Sequence, residues 1–172
     1  MSIRSAAKAI IAKDGQILLN RCRHKDGSIY YDLPGGGQHQ YESLEAAVLR
    51  EVKEESGFDV CIRRFAALAE EIYTDKNLQK QYPDYTHRIL HIFLAEVVGT
   101  HQDAPTEKDY GMEESEWIAV EKIPALPEIR PKGLQQKLPL ILSSEYPVYL
   151  GRYAFGFSGV QALLTVHASA LP

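Results

Sequence analysis

The sequence predicts an α+β fold, with strand-like segments before and after one well-defined helix. Apolar runs at residues 5–12 and 16–22 are separated by Lys13-Asp14-Gly15, a turn sequence that indicates a β-hairpin. Residues 43–56 contain no glycine or proline and consist mostly of helix formers, and Gly57 follows where a helix would end. Two later segments, 61–73 and 87–98, are rich in strand-forming side chains.

Shorter elements are expected between these segments: a turn at 25–28, a strand at 29–33, a strand at 116–120 and a short helix at 121–126. The Pro-Gly-Gly-Gly segment at 34–37 predicts a loop that no regular element contains, and the polar segment 74–86 predicts a lid or specificity loop. After Glu128, the prolines leave room for one helical stretch of any length, around 133–138. Residues 152–172 show no assignable pattern.

Length, composition and charge limit the class of protein. A chain of 172 residues suits one domain of ordinary size. With 45% hydrophobic and 24% charged residues, the composition is that of a globular protein that folds alone. The net charge of -4 excludes a general attraction to nucleic acid or to an anionic membrane. A highly charged small substrate would therefore be met by a metal ion or by local Lys and Arg side chains.

The sequence gives no sign of export or membrane insertion. Residues 1–8 lack the apolar core of a secretory signal, and no window reaches the roughly 18 apolar residues that span a bilayer. The two cysteines, Cys22 and Cys61, lie in strand-like stretches, which suits reduced core thiols better than a disulfide. A cytoplasmic location without membrane contact is the resulting expectation.

Three carboxylates share one face of the predicted helix. Because successive helical residues turn by about 100°, Glu54 and Glu55 lie within about 60° of Glu51. The same geometry places Val48 and Val52 beside them, so the glutamates lie in and next to the apolar stripe. A solvated acidic face is the usual explanation of such a charge run, but this position is wrong for solvated charge.

A divalent cation is the most economical compensation for these glutamates. Like charges three and four residues apart repel, and burying unpartnered carboxylates costs several kcal/mol each. The site offers oxygen ligands and no Cys or His at ligand spacing, which favours Mg²⁺, with Mn²⁺ as the alternative. Arg50 lies beside Glu51 and supplies a permanent positive group.

The glycine-rich segment before the helix predicts a phosphate site. Gly35, Gly36 and Gly37 allow the main chain to approach a ligand closely, and a helix N-terminus carries partial positive charge. A diphosphate that also contacts a metal ion would fit between the glycines and the glutamates.

These residues resemble the Nudix hydrolase family. The sequence matches all nine specified positions of the Nudix box, which are Gly36, Glu42, Arg50, Glu51, Val52, Glu54, Glu55, Gly57 and Phe58. So many matches at the required spacing are far more specific than a lone glycine-rich loop. The resemblance extends to the strands before the box, the hairpin after it and a Glu/Trp segment at 113–117, and covers residues 4–125.

The resemblance implies an α/β/α sandwich with a mixed β-sheet between helices. It implies a Nudix domain at 1–127 and a C-terminal extension at 128–172 that packs on it or trails from it. It also implies a hydrolase acting on acid anhydrides, which cleaves a nucleoside diphosphate linked to another moiety by attack of water on phosphorus. The substrate would be a dNTP, ADP-ribose, a nucleotide sugar or a dinucleoside polyphosphate.

The resemblance also implies roles for individual residues. Glu51, Glu54 and Glu55 would bind the metal, Glu51 would also serve as general base, and Arg50 would orient Glu51. The backbone carbonyl of Gly36, in the glycine-rich segment, would join the metal ligands. Glu42 would support the loop and the helix.

Residues outside the box complete the candidate site. An acidic loop often supplies a further ligand or base in this family, and Glu113 and Glu114 are the candidates, with Glu114 assigned to catalysis. Tyr73 and Arg23 are candidates for substrate binding, although packing or a solvated strand edge explains them as well. Where many relatives carry an acidic residue and a Pro-Gly turn before Glu42, this sequence has Gln38-His39-Gln40-Tyr41.

Two other functions are compatible with the fold. One is a Nudix domain that only binds a nucleotide or regulates a partner, but that reading is favoured by degenerate box glutamates and none is missing here. The other is hydrolysis of RNA 5′ ends, for which the acidic charge balance is unfavourable. The expected partner is a small nucleotide-like diphosphate, nucleic acid is disfavoured, and a homodimer is one expectation for the oligomeric state.

Overall fold

The computed structural model describes residues 3–109 and 111–155, with nine strands and three α-helices. The strands are β1 (Arg4–Lys13), β2 (Gln16–Arg23), β3 (Ile29–Asp32), β4 (Gly35–Gly37), β5 (Phe58–Tyr73), β6 (His87–Gln102), β7 (Met112–Ala119), β8 (Ile129–Arg130) and β9 (Val148–Phe155). The helices are α1 (Leu44–Ser56), α2 (Lys76–Gln81) and α3 (Leu134–Ser143), with a 3-10 helix at Val120–Ala125. In the part of the chain that is described, no helix is long and apolar enough to cross a membrane.

The strands form one mixed sheet in the order β8-β3-β2-β1-β6-β5-β9, with β4 paired to β1 and β7 paired to β2. The pairs β1/β6, β5/β9 and β3/β8 are parallel, and the other pairs are antiparallel. A strand buried on both faces requires apolar residues at successive positions, and β1 has them in Ala6, Ala7, Ala9, Ile10 and Ile11.

Each face of the sheet is covered by a helix. Ala7, Ala9 and Ile11 pack with α1 in one core, whereas Ala6 and Ile10 belong to a second core that contains α3. The predicted α/β/α sandwich with a mixed sheet between helices is therefore confirmed. The hairpin between β1 and β2 is also as predicted, and its two loop residues Asp14 and Gly15 have positive φ, which a type I′ turn requires.

Helix α1 begins and ends where the sequence predicts. The Ser43 hydroxyl accepts a hydrogen bond from the Ala46 N–H at 3.1 Å, which caps the first turn. Gly57 adopts the left-handed conformation at φ 73°, and its N–H donates to the Lys53 carbonyl. The two caps fix where the helix begins and ends.

Three local expectations were wrong, and tertiary contacts account for two of them. The glycines 35–37 form strand β4 instead of a loop, because three residues of β1 offer them an antiparallel partner. The polar loop after β5 contains helix α2, capped by Asp75. Helix α3 continues through Pro139 to Ser143 and is not confined to 133–138, since burial of Leu138 and Ile141 offsets the lost hydrogen bond.

Strand β9 covers the start of the segment 152–172, to which the sequence assigned no element. Residues 156–172 of that segment lie outside the described residues. Within the predicted extension, β8, α3 and β9 join the same sheet and core as the preceding residues. The boundary at residue 127 remains a prediction. Both cysteines are free, as expected.

Candidate functional site

The box glutamates of α1 lie at the edge of the core. Glu55 is 2% exposed, and its Oε2 accepts hydrogen bonds from Asn20 Nδ2 at 2.9 Å and from the Gly35 N–H at 2.8 Å. Asn20 is itself held by the Ser115 hydroxyl at 2.8 Å. The side chains of Glu51 and Glu54 are 14% and 30% exposed to solvent. The helix therefore presents three carboxylates at increasing depth along one face.

Burial makes negative charge costly at these positions. Burial raises the pKa of Glu55 to about 7, although the positive charge of Lys8 and the hydrogen bond from Gly35 oppose the shift. Burial likewise raises the pKa of Glu51, against the effect of Arg50. The negative charge of Asp109 adds to both shifts. A further cation at this place would relieve the repulsion.

The segment from Pro34 to Gly37, called here the glycine turn, is held at every residue. The Pro34 carbonyl accepts from the Ala9 N–H at 2.9 Å, and the Gly37 carbonyl accepts from Arg50 Nη2 at 3.1 Å. Gly35 has φ 123° and its Cα faces the Ala7 carbonyl, so only glycine fits there. At Gly36, a Cβ would collide with the carboxylate of Glu51. The glycines thus bring the main chain into contact with two box glutamates.

Arg50 connects the glycine turn to the acidic face. Its Nη1 donates to Glu51 Oε1 at 2.9 Å and to Glu54 Oε2 at 3.0 Å, while its Nε and Nη2 form a bidentate pair with Glu42. The hydrogen bonds from Arg50, aided by the His39 N–H, lower the pKa of Glu42 to about 2. Arg50 and Glu42 therefore form a permanent ion pair that orients the neighbouring glutamates.

The donor set is suited to a hard divalent cation, although the ligands are not gathered in advance. Among the described residues, no group of three or more His, Cys, Asp or Glu side chains already surrounds a common point. In the hydrogen bonds above, Glu51, Glu54 and Glu55 each use only one carboxylate oxygen. The second oxygen of each remains for a ligand, and oxygen is the donor that Mg²⁺ and Mn²⁺ prefer.

The loop between β6 and β7 adds an acidic residue that sequence reasoning missed. The N–H groups of Thr106 and Glu107 donate to the Glu54 carbonyl at 2.8 and 3.1 Å, which places the loop against α1. Asp109, an exposed residue of this loop, is close enough to raise the pKa of both Glu51 and Glu55. Its neighbours in sequence carry no motif, so only the packing of the loop reveals it.

A family model described as NUDIX domain matches residues 1–137. The chain belongs to the Nudix family. As predicted, it is a hydrolase acting on diphosphate bonds, and a nucleotide-like substrate follows from the family.

Solved Nudix structures share the fold. A NUDIX hydrolase from Nitrosomonas europaea is 22% identical with a TM-score of 0.64, over 80% of this chain and 87% of that one. A MutT protein from Methanosarcina mazei Go1 is 26% identical with a TM-score of 0.59, over 81% and 92%. An ADP-ribose pyrophosphatase from Streptococcus suis 89-1591 is 23% identical with a TM-score of 0.57, over 86% and 99%. The comparison with curated proteins found no match.

The residues of the Nudix box lie together, whereas two candidates outside it lie apart. Glu114 is exposed and is the strand partner of Arg21. Since the side chain of Asn20 points to Glu55, strand alternation directs Arg21 and Glu114 to the opposite face. Arg23 is 45% exposed in its side chain, and its Nε donates to Glu113 at 2.5 Å. Among the described residues, neither Glu114 nor Arg23 forms a hydrogen bond or an ion pair with a box glutamate.

Tyr73 lines a cavity on the α3 side of the sheet. The cavity has a volume of about 160 Å³. Its lining consists of Tyr73, Leu78, Tyr82, Tyr85, Thr86, Arg88 and Arg130. Four of these residues, from Leu78 to Thr86, belong to α2 or the segment around it, which was predicted to be a lid or specificity loop. The remaining lining residues come from strands β5, β6 and β8.

The segment Gln38-His39-Gln40-Tyr41 reaches Glu42 without the usual acidic residue and Pro-Gly turn. Gln38 Nε2 donates to the Glu42 carbonyl at 2.6 Å, and the His39 N–H donates to Glu42 Oε2 at 2.9 Å. The His39 side chain is 70% exposed and lies 4.0 Å from Glu42. This Nudix box therefore keeps its Arg50–Glu42 pair despite the altered loop.

Proposed function

We propose that this chain is a Mg²⁺-dependent Nudix pyrophosphohydrolase that cleaves a nucleoside diphosphate linked to another moiety. The observation that carries the proposal is the half-buried acidic face of α1, where three carboxylates each keep an oxygen for a ligand. Such a face is unfavourable without a cation, and the glycine turn that would contact the diphosphate lies directly against it. A protein that only bound nucleotide would not need all three glutamates.

Glu51, Glu54, Glu55 and the Gly36 carbonyl would hold Mg²⁺ or Mn²⁺. When bound, the metal neutralises charge on the diphosphate and lowers the pKa of a coordinated water. Glu51 would take the proton from the attacking water; Arg50 holds one of its oxygens, and the other is unused. Gly35, Gly36 and Gly37 allow the main chain to approach the diphosphate.

A further acidic residue completes the proposed site. Glu114 was the candidate from sequence, but its side chain is directed to the face opposite Glu55. Asp109 is favoured because it lies on the loop whose Thr106 and Glu107 N–H groups bond the Glu54 carbonyl, and because its negative charge raises the pKa of Glu51 and Glu55. We therefore assign Asp109 to the metal-binding or proton-accepting role that a loop acid plays in this family.

The cavity lined by Tyr73 suits one planar ring. Its volume of about 160 Å³ is below the roughly 300–1,000 Å³ of pockets that hold a whole ligand. Three tyrosines supply aromatic faces, and stacking of a base on an aromatic side chain contributes about 1–3 kcal/mol. We assign this cavity to the nucleobase of the substrate.

The charges of the cavity favour an uncharged ring over a second phosphate. Arg88 is paired with the fully buried Glu71, and Arg130 Nε donates to Glu128 at 3.0 Å, so both guanidinium groups are already balanced. Arg88 Nε and Glu71 Oε1 are buried and have no hydrogen-bond partner among the described residues. The cavity therefore offers aromatic side chains without an unbalanced positive charge.

Activity across a substrate panel tests the proposed function. With Mg²⁺, we expect turnover of at least one substrate among dNTPs, ADP-ribose, nucleotide sugars and dinucleoside polyphosphates, measured as release of phosphate or pyrophosphate. Inorganic tripolyphosphate, which has no base, should be a poor substrate. Inactivity across the whole panel would refute the proposal. EDTA should abolish all turnover, and excess Mg²⁺ should restore it.

Tyr73→Ala is expected to raise the KM of the best panel substrate about tenfold with little change in kcat, because stacking of about 1–3 kcal/mol is lost away from the reacting phosphorus. Tyr149→Ala is the control, since Tyr149 is 55% exposed and does not line the cavity. Steady-state kinetics on both variants give the comparison. An unchanged KM for Tyr73→Ala would place the base elsewhere.

A further inference from the structure

Lys8 is a buried cation in the middle of a strand, with apolar residues on both sides of it. Lys8 is 4% exposed and lies between Ala7 and Ala9 in the middle of β1. A buried ammonium group is costly unless it is paired and hydrogen-bonded. Its Nζ donates to the Leu33 carbonyl at 3.0 Å and lies 3.5 Å from Asp32 Oδ2. No sequence motif marks this residue.

The hydrogen bond from Lys8 lies at the entrance to the glycine turn. Leu33 immediately precedes Pro34, whose carbonyl accepts from the N–H of the next β1 residue, Ala9. Lys8 and Ala9 therefore hold two successive carbonyls, directly before Gly35 donates to Glu55. Any displacement of Leu33 would move Gly35 and Gly36 relative to the glutamates that they contact.

Asp32, the partner of Lys8, lies between the acidic face and the aromatic cavity. In the sheet it is the direct partner of Asn20, which donates to Glu55, and of Arg130, which lines the cavity. The charge of Lys8 also acts on Glu55, since it opposes the rise in the pKa of that carboxyl. The Lys8–Asp32 pair thus lies next to the glycine turn, to Asn20 and to the cavity residue Arg130.

We infer that Lys8, held by Asp32, is a positioning residue that fixes the glycine turn against Glu51 and Glu55 for hydrolysis. This inference rests on the proposed function. Lys8 itself is expected to touch neither substrate nor metal. Its loss should lower kcat and metal affinity by roughly 10- to 100-fold, as for other residues that orient metal ligands. The KM for substrate should change little, because Lys8 does not line the aromatic cavity.

Lys8→Met tests this role in the full chain, because methionine keeps much of the side-chain length and removes the charge and the donors. Lys13→Met is the matched control, since Lys13 is an exposed residue at the end of the same strand. For each variant, kcat, KM and the apparent Mg²⁺ constant are measured with the best panel substrate. Mn²⁺ binding is measured without substrate by electron paramagnetic resonance, and folding by circular dichroism and urea unfolding.

The expected result is a folded Lys8→Met variant with reduced kcat and weaker Mn²⁺ binding, and a Lys13→Met variant like the wild type. Lys8→Arg, which keeps the charge and a donor, should recover part of the kcat. A folded Lys8→Met variant with kcat and Mn²⁺ affinity within twofold of the wild type would overturn the inference.

A second variant decides the case in which Lys8→Met fails to fold. Asp32→Asn keeps the size of the partner, which is only partly buried, and should also lower kcat and Mn²⁺ affinity. A folded Asp32→Asn variant with wild-type values would then overturn the role of the pair. Failure of the proposed function is recognised separately, because wild-type protein would then be inactive across the panel, and the positioning role would fall with it.

Discussion

Replacing Glu54 or Glu55 with glutamine is expected to abolish Mg²⁺-dependent turnover while the protein stays folded. Each substitution removes one of the three carboxylates that would hold the metal, and partners outside the ligand sphere of a metal already contribute about 10- to 100-fold. We expect kcat to fall by more than about a hundredfold in both variants. Steady-state kinetics with Mg²⁺ and with Mn²⁺ measure the loss.

The Glu55→Gln variant should be at least as stable as the wild type in EDTA above pH 7. Glutamine retains a side-chain oxygen that accepts from Asn20 and Gly35, and it removes a charge that burial disfavours. Because the pKa of Glu55 is raised to about 7 in the folded state, ionisation destabilises the fold as pH rises from about 4.5 through 7. Urea unfolding at pH 8 measures this difference.

Glu45→Gln is the matched control for both variants. Glu45 is an exposed glutamate in the first turn of the same helix, so the charge change is identical while the acidic face is intact. Full activity is expected. If Glu54→Gln and Glu55→Gln also kept full activity while folded, the assignment of these glutamates to the metal would be wrong.

Arg50→Lys is expected to lower kcat by roughly 10- to 100-fold, the cost of losing a partner that orients metal ligands. The guanidinium of Arg50 bonds Glu42, Glu51, Glu54 and the Gly37 carbonyl at once, and a lysine ammonium cannot reproduce this planar set of donors. Keeping the charge while losing the geometry separates orientation from simple charge balance. Kinetics on the purified variant measure the effect.

Arg63→Lys is the control for Arg50→Lys. Arg63 is 55% exposed in its side chain and pairs with Glu96 on the surface, where lysine should serve as well. We expect kinetics and unfolding like those of the wild type. An Arg50→Lys variant with wild-type kcat would show that Arg50 supplies only charge and that the glutamates are oriented by other contacts.

The part of the site on α1 could be predicted from the sequence because it depends on short-range geometry. The period of an α-helix fixes which residues share a face, so Glu51, Glu54 and Glu55 had to lie together once the segment was helical. The caps Ser43 and Gly57 act through their immediate neighbours and were placed correctly for the same reason. The spacing of Arg50 from Glu51 and Glu54 is likewise local.

Residues that other elements contribute to the site could not be predicted in this way. Lys8, Asn20 and Asp109 come from β1, β2 and the loop after β6, and nothing near them in sequence marks a ligand site. Their approach to Glu55 depends on strand register and loop packing. Glu114 illustrates the same limit, because the family pattern suggested an acidic residue nearby but not the face of β7 on which its side chain would lie.

The same dependence on long-range contacts explains the elements of secondary structure that differed from the prediction. Strand β4 exists because β1 lies alongside it, and helix α3 passes Pro139 because its apolar side is buried in the second core. Local preference for a loop or a helix break was weaker than these contacts.

By itself, the sequence determined the family, the α+β class, the hairpin, the helix and the acidic face of that helix. All of these follow from side-chain chemistry and from the repeat of one regular element over a short stretch of chain. Only the tertiary structure decided which distant residues meet the acidic face, how the glycine turn is held and where a ring-sized cavity forms. These depend on contacts between residues far apart in the chain, and such contacts form only when the whole sheet is assembled.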